Sequence, residues 1–267
     1  MTSVDLTVGG RTLRVHVRPG DGTRTPLLLV NGIGARWEML DPFVAALPRE
    51  LEVIRFDVPG IGGSPQPRLP YHMATFAPTV AALVRELGHE QVDVLGYSWG
   101  GGLAQQIALG DRALVRRLVL VATGTGSVMV PARPSVLSKM LTPRRYRDPA
   151  YAASVAGEIY GGTLRTHPER AAALLHGGTT ERGYLFQLLA GAGWTTLPAL
   201  RLIQAPTLVV SGDDDPIIPL VNAKILSRGI RDATLHVYPG GHLALLTEPE
   251  ELAPVIDRFL RREGPRD

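Results

Sequence analysis

Val92-Asp93-Val94-Leu95-Gly96-Tyr97-Ser98-Trp99-Gly100-Gly101-Gly102 decides how this chain folds. A short, largely apolar strand runs into the pattern G-x-S-x-G, and a helix-length stretch, Leu103 to Leu109, follows it. Strand, sharp turn and helix are the setting in which a serine is lifted off the end of a sheet with its hydroxyl exposed. The glycines on either side let neighbouring backbone approach closely, where a Cβ would crowd it. The helix that starts beyond Ser98 points free N–H groups and its positive dipole end at the same spot.

The rest of the chain repeats this grammar. Leu27 to Val30, Val53 to Phe56, Leu118 to Val121 and Thr207 to Val210 are short continuous apolar runs, as expected of parallel strands buried on both faces. Helix-length stretches lie between them, such as Ala74 to Leu87, so the fold class is α/β with a mostly parallel sheet and helices on both faces. Residues 4 to 17 instead alternate in polarity around Gly9-Gly10, which predicts a hairpin. A last strand, Thr234 to Tyr238, precedes a closing helix around Glu248 to Arg261. From about Gly124 to Leu200 no strand is readable, while helical stretches (Ala150 to Ile159, Glu169 to Leu175, Leu185 to Leu189) alternate with Pro and Gly. That is too long for a structureless loop. The expected organisation is a core of residues 1–123 and 201–267 with a helical cap insertion, 124–200, lying over one edge of the sheet.

Composition removes several classes of function. With no cysteine among 267 residues there is no thiolate metal site, disulfide framework or Cys nucleophile. The net charge is only +3, and the densest basic run, Arg144-Arg145-Tyr146-Arg147, reads as a solvated loop, so no nucleic-acid partner is expected. No apolar run reaches the ~18 residues of a membrane span, and Met1 to Asp5 does not look like a signal peptide. A cytoplasmic protein is the expectation.

A serine hydroxyl needs a base near neutral pH. Of seven histidines, His242 stands out, on the loop Pro239-Gly240-Gly241-His242 after the last strand. His236 lies within that strand, and His16, His72, His89, His167 and His176 belong to no constellation. The base needs an acid to hold its tautomer. Asp213, Asp214 and Asp215 follow the strand Leu208-Val209-Val210, and spacing alone barely separates them. Trp99, directly after the serine, supplies a backbone N–H suited to an oxyanion.

The order serine, acid, histidine resembles that of the α/β-hydrolases. In that superfamily the acid commonly sits in G-x-x-D-x-x-x-P, a register that implies Asp215. The turn Asn31-Gly32-Ile33-Gly34 corresponds to the loop that gives the second oxyanion donor, implying the Ile33 amide, although Asn31 stands where many relatives have His. Asp57, in Phe56-Asp57-Val58-Pro59-Gly60, reads as a turn-holding residue.

Further stretches resemble the intracellular poly(3-hydroxyalkanoate) depolymerases: Asn31 to Ala35, Ser98 to Gly101, Val128 to Pro131, Pro143 to Tyr146, Ile159 to Gly162, Gly193 to Thr195 and Gly212 to Pro216. Tyr97 departs from that pattern, where a smaller residue is expected. The resemblance implies an eight-stranded α/β-hydrolase fold and cofactor-free cleavage of polyester bonds through an acyl-enzyme. Trp37, Met129, Tyr160 and Trp194 are the expected substrate contacts and a polyhydroxyalkanoate granule surface a candidate partner; the oligomeric state stays open. The alternative is a carboxylesterase or lipase for small esters. A carbon–carbon bond hydrolase and a non-catalytic binding module are more distant rivals.

Overall fold

A hairpin opens the chain, β1 (Thr2–Val8) and β2 (Arg11–Arg18), turning at Gly9 and Gly10 with φ of 55° and 73°. Both values lie in the left-handed region that a tight turn requires and glycine adopts without strain. The computed structural model describes residues 2–175, 177 and 179–262; His176 and the chain end from Glu263 lie outside them. The further strands are β3 (Leu27–Val30), β4 (Val53–Phe56), β5 (Val92–Tyr97), β6 (Val115–Val121), β7 (Thr207–Gly212) and β8 (Ala233–Tyr238). They form one sheet in the order β1-β2-β4-β3-β5-β6-β7-β8. Pairing is antiparallel from β1 to β2 and β2 to β4, and parallel from there to β8.

The helices are α1 (Asp41–Ala46), α2 (Met73–Glu86), α3 (Trp99–Gly110), α4 (Pro134–Met140), α5 (Pro149–Tyr160), α6 (Arg170–Leu174), α7 (Glu181–Gly191), α8 (Leu220–Gly229), α9 (Ala244–Thr247) and α10 (Pro249–Leu260). They cover both faces of the sheet. Leu27 and Leu29 of β3 belong to the apolar cluster shared with α1, α9 and α10, while Leu28 and Val30 belong to the one shared with α2, α3 and α8. This strict alternation explains the continuous apolar runs: with both faces covered, neither set of side chains meets water.

Between β6 and β7 the chain makes α4 to α7 and adds no strand to the sheet. This segment does not lie over one edge, as the sequence suggested. It spans the C-terminal ends of the strands. Thr180 Oγ1 donates to the carbonyl of Gly60 after β4, Arg165 pairs with Asp214 after β7, and the carbonyl of Tyr160 accepts from the amide of His242 after β8. The cause is topological. β6 and β7 are neighbours inside the sheet, so a chain leaving β6 emerges over the middle of that end. Among the described residues, no helix is long and apolar enough to cross a membrane.

Candidate active site

The strand order reverses between β3 and β5, because the chain passes from β3 outward to β4 and returns to β5 on the other side. In open α/β sheets the crevice at such a reversal, outside the strands' C-terminal ends, is where ligands bind. Ser98 closes β5 there with φ 55° and ψ −120°, a strained backbone for a non-glycine residue. Three hydrogen bonds hold the strain. The Ser98 amide donates to the Val121 carbonyl at 2.9 Å, and its own carbonyl accepts from the Gly101 amide at 2.9 Å and Thr123 Oγ1 at 2.7 Å. A Cβ at Gly100 would run into the carbonyls of Val30 and Asn31, so α3 can lie against β3 only with glycine there.

The loop after β8 brings His242 to this serine. Its Nε2 stands 2.9 Å from Ser98 Oγ, and its Nδ1 stands 2.7 Å from Asp215 Oδ2. An ionised carboxylate only accepts, so Nδ1 carries the hydrogen and Nε2 is left to accept from the serine hydroxyl. The other Asp215 oxygen accepts from the amides of Ile217 and Ile218, both at 2.9 Å, which locks the carboxylate's orientation. Asp214 points elsewhere, paired with Arg165 and bonded by the Gly162 amide, and Asp213 accepts from the Gly240 amide. The three adjacent acids therefore have three different partners, and only Asp215 meets the imidazole.

Among the described residues, neither the amide of Ile33 nor that of Trp99 has a protein acceptor, while their neighbours are engaged. The Gly32 amide donates to Asn31 Oδ1 at 2.8 Å, and Asn31 Nδ2 donates to the Arg36 carbonyl at 2.6 Å. Asn31 thus braces the turn from within. Also among the described residues, no three His, Asp or Glu side chains gather where a metal ion would sit.

The remaining residues singled out from sequence divide. Tyr160 is buried beside His242, its ring centroid 6.4 Å from the imidazole. Met129 is half-buried against Gly124 and the apolar cluster that includes Tyr160. Trp37 and Trp194 are not brought to the serine. The Trp37 indole stacks on His16 at 3.7 Å, with the Arg55 guanidinium 4.6 Å from its centre, over strands β2 and β4. Arg55 is almost completely buried, and the aromatic face gives that cation a favourable contact. Trp194 packs along α3 at Gly102, and its Nε1 donates to Gln106 Oε1 at 2.8 Å. In the Arg144 to Arg147 run, Arg144 and Arg147 are exposed as the charge suggested, but Arg145 is not. Arg145 is 2% exposed, between the rings of Tyr146 and Tyr184, and donates to Tyr184 Oη and the Thr142 carbonyl.

Several contacts at the site were not read from the sequence, and Thr179 and Gln187 were not named at all. Tyr97 Oη donates to the His242 carbonyl at 2.9 Å, so the oversized residue before the serine braces the His242 loop. Burial pushes the phenols of Tyr97 and Tyr160 well above the ordinary tyrosine range, keeping both protonated. Tyr146, Thr179 and Gln187 contact the turn after β3. Of these only Tyr146 carried a signal, as the one aromatic among the arginines of 144–147. Asp57 accepts from the amides of Trp37 and Gly63, and burial raises its carboxyl to about 6.

Residues 25–249 match the alpha/beta hydrolase fold family. The chain is 48% identical to a poly(3-hydroxyalkanoate) depolymerase from Ectopseudomonas oleovorans over 260 residues, covering 96% of this chain and 91% of that one. It is 30% identical, over 95% of its length and 93% of the other's, to a 2-hydroxy-6-oxononadienedioate/2-hydroxy-6-oxononatrienedioate hydrolase from Klebsiella pneumoniae. Among solved structures, a hydrolase from Pseudomonas aeruginosa PA01 superimposes with a TM-score of 0.83 at 25% identity, covering 98% of this chain and 99% of that one. The first of these alignments runs through the segment between β6 and β7 as well as the sheet, and the chain belongs to the α/β-hydrolase superfamily and, within it, to the poly(3-hydroxyalkanoate) depolymerases.

Proposed function

We propose that the protein hydrolyses ester bonds of poly(3-hydroxyalkanoate), releasing 3-hydroxyalkanoic acids or oligomers, with Ser98, His242 and Asp215 as its catalytic residues. The observation that carries this reading is the continuous relay from Asp215 through His242 to Ser98, at 2.7 and 2.9 Å, on a strained turn beside two free amides. In the first half-reaction Ser98 Oγ bonds to the ester carbonyl carbon as its proton passes to His242 Nε2. The carbonyl oxygen takes the negative charge and accepts from the amides of Ile33 and Trp99. Collapse breaks the bond to the leaving alkoxide, which receives the proton from His242, and the 3-hydroxyacyl group stays on Ser98. Water then repeats the sequence and frees the acid. Asp215 stabilises the imidazolium in both halves. One oxyanion donor is typically worth about 10²–10³ in kcat.

Polyester as substrate is supported by the 48% identity across nearly the whole chain. We further propose that residues 124–200 act as a cap over a core of 1–123 and 201–267, and that the enzyme works in the cytoplasm at a granule surface. The last point is supported by the number of exposed apolar side chains that segment carries, Val128, Leu137, Leu141, Leu185 and Leu189, which a granule surface would cover. Met129 and Tyr160 are proposed as substrate contacts.

The test is incubation with amorphous poly(3-hydroxyalkanoate) granules of short and medium side chain, with released acids identified, beside a p-nitrophenyl alkanoate series. Release of 3-hydroxy acids that Ser98→Ala abolishes is the expected result. Turnover of the small esters with inert granules would overturn the polymer assignment in favour of a small-ester carboxylesterase. Inertness toward both substrates would overturn ester hydrolysis itself.

A further inference from the structure

The turn that carries the Ile33 amide is held from outside its own domain core. Tyr146 Oη donates to the Ile33 carbonyl at 2.7 Å, the Gly34 amide donates to Gln187 Oε1 at 2.7 Å, and Thr179 Oγ1 donates to the Gly34 carbonyl. The first two bonds grip opposite ends of one peptide group, the C=O of Ile33 and the N–H of Gly34. Because a peptide group is planar, holding both ends stops it rotating. On the other side, the Asn31–Gly32 peptide is held by Asn31 Oδ1. The Gly32–Ile33 peptide lies between two immobilised neighbours, and its N–H, the free one, has a set direction. Gln187 also holds the side chain of the residue that carries the second amide: its backbone carbonyl accepts from the Trp99 indole Nε1 at 2.8 Å. Gln187 is fully buried, and Tyr146 and Thr179 are each 7% exposed, so bulk water cannot take over these bonds. Gly34 has φ 73°, and a Cβ there would lie 2.7 Å from the Tyr146 ring and 2.9 Å from the Tyr184 ring. The rings close onto bare backbone.

We propose that Gln187, Tyr146 and Thr179, all from the segment between β6 and β7, are positioning residues that aim the Ile33 amide at the developing oxyanion. Catalytic competence is thereby tied to the seating of that segment. The inference rests on the proposed roles of Ser98 and of the Ile33 and Trp99 amides. The chemistry of the bonds also sets the orientation of the Gln187 amide group: Gly34 supplies a donor, so Oε1 and not Nε2 faces it. Among the described residues Nε2 has no partner, so the acceptor oxygen is what this position requires.

The experiment uses the full chain in four forms, Tyr146→Phe, Gln187→Leu, Gln187→Glu and Ser98→Ala, with a p-nitrophenyl alkanoate as substrate. An alkyl trifluoromethyl ketone serves as a probe that becomes an oxyanion when Ser98 adds to it. The expected result is a kcat lowered about 10- to 100-fold in Tyr146→Phe and Gln187→Leu with KM within about twofold, and ketone affinity weakened in proportion. Gln187→Glu, which keeps an acceptor oxygen, recovers most of the loss. A purely structural role would change melting temperature without this split between kcat and KM. Wild-type kcat in both Tyr146→Phe and Gln187→Leu, with Ser98→Ala inactive, would overturn the positioning role alone. A raised KM at constant kcat would do the same, by making these residues substrate contacts. Full activity in Ser98→Ala would instead overturn the reading of the site.

Discussion

The two sides of the site are built by opposite means. On the sheet side, Ser98, Asp215 and His242 stand on loops directly attached to β5, β7 and β8; β5 and β7, buried on both faces, fix where the first two loops begin, and the half-buried edge strand β8 leads to the third. The strand faces there are mostly apolar, with Arg55, Asp93 and Arg117 as buried charges among them, so where the loops begin comes largely from packing. On the other side, the segment from α4 to α7 brings polar and charged groups into the interior: Arg145, Gln187, Thr179 and the hydroxyls of Tyr146 and Tyr184. Position there comes from individual hydrogen bonds, which are directional and costly to leave unmade. One side tolerates exchange of apolar residues of similar volume; the other is sensitive to single polar atoms.

Substitutions can break or sharpen this contrast. The largest effect is expected on the sheet side: Ser98→Ala should lower kcat by about 10⁶, as in other serine triads, read by ester turnover and by loss of fluorophosphonate labelling. Next, Asp215→Asn should cost about 10⁴ in kcat, because the amide stabilises the wrong imidazole tautomer. Asp214→Asn, which removes the charge facing Arg165 and the Gly162 amide, should stay within about tenfold. Equal losses in the two variants would mean that either acid can serve the imidazole. Gly34→Ala sits where the two sides meet. The strained φ and the two tyrosine rings should shift the turn and lower kcat about 100-fold, a loss comparable to that of one oxyanion donor. If Gly34→Ala retains wild-type turnover, the turn is not clamped.

Smaller effects concern stability. Trp194→Phe removes the bond to Gln106 and should cost about 1 kcal/mol in urea denaturation while leaving kcat alone. Asp57 gives a pH signature. Its carboxyl is raised in the fold from 3.8 to about 6, so the folded state holds the proton more tightly than the unfolded chain does. The favourable contribution is complete below pH ~4 and is lost as pH rises through about 6. Between pH 5 and pH 7 this group alone should remove about 1 kcal/mol of stability, and Asp57→Asn should flatten that part of the profile.

The same contrast explains what was legible in the sequence. Continuous apolar runs mark parallel strands because both faces are buried, and the glycine pattern around Ser98 marks the turn because only glycine admits neighbouring backbone there. The choice of Asp215 needed the register of a known superfamily, since Asp213, Asp214 and Asp215 are chemically identical and their separate partners are distant in sequence. The insertion was readable as helical, but its placement was not. Its docking depends on contacts such as Tyr146 with Ile33, 113 positions apart, which no local period encodes. Trp37 and Trp194 were misplaced for a related reason: an aromatic side chain beside a buried guanidinium or a helix glycine has the same composition signal as one lining a cleft. Arg145 was misread as solvated because charge usually means surface, and its tyrosine surroundings come from two separate elements, α7 and the stretch before α5.

The Tyr160 carbonyl that receives the His242 amide has a practical consequence for anyone recombining related hydrolases. Exchanging the stretch between β6 and β7 as a specificity cassette would replace the main-chain anchor of His242 along with the specificity it was meant to transfer. A chimera that keeps its activity will need the donor's Asn31–Gly34 turn and histidine loop grafted together with the new cassette, as one inherited unit.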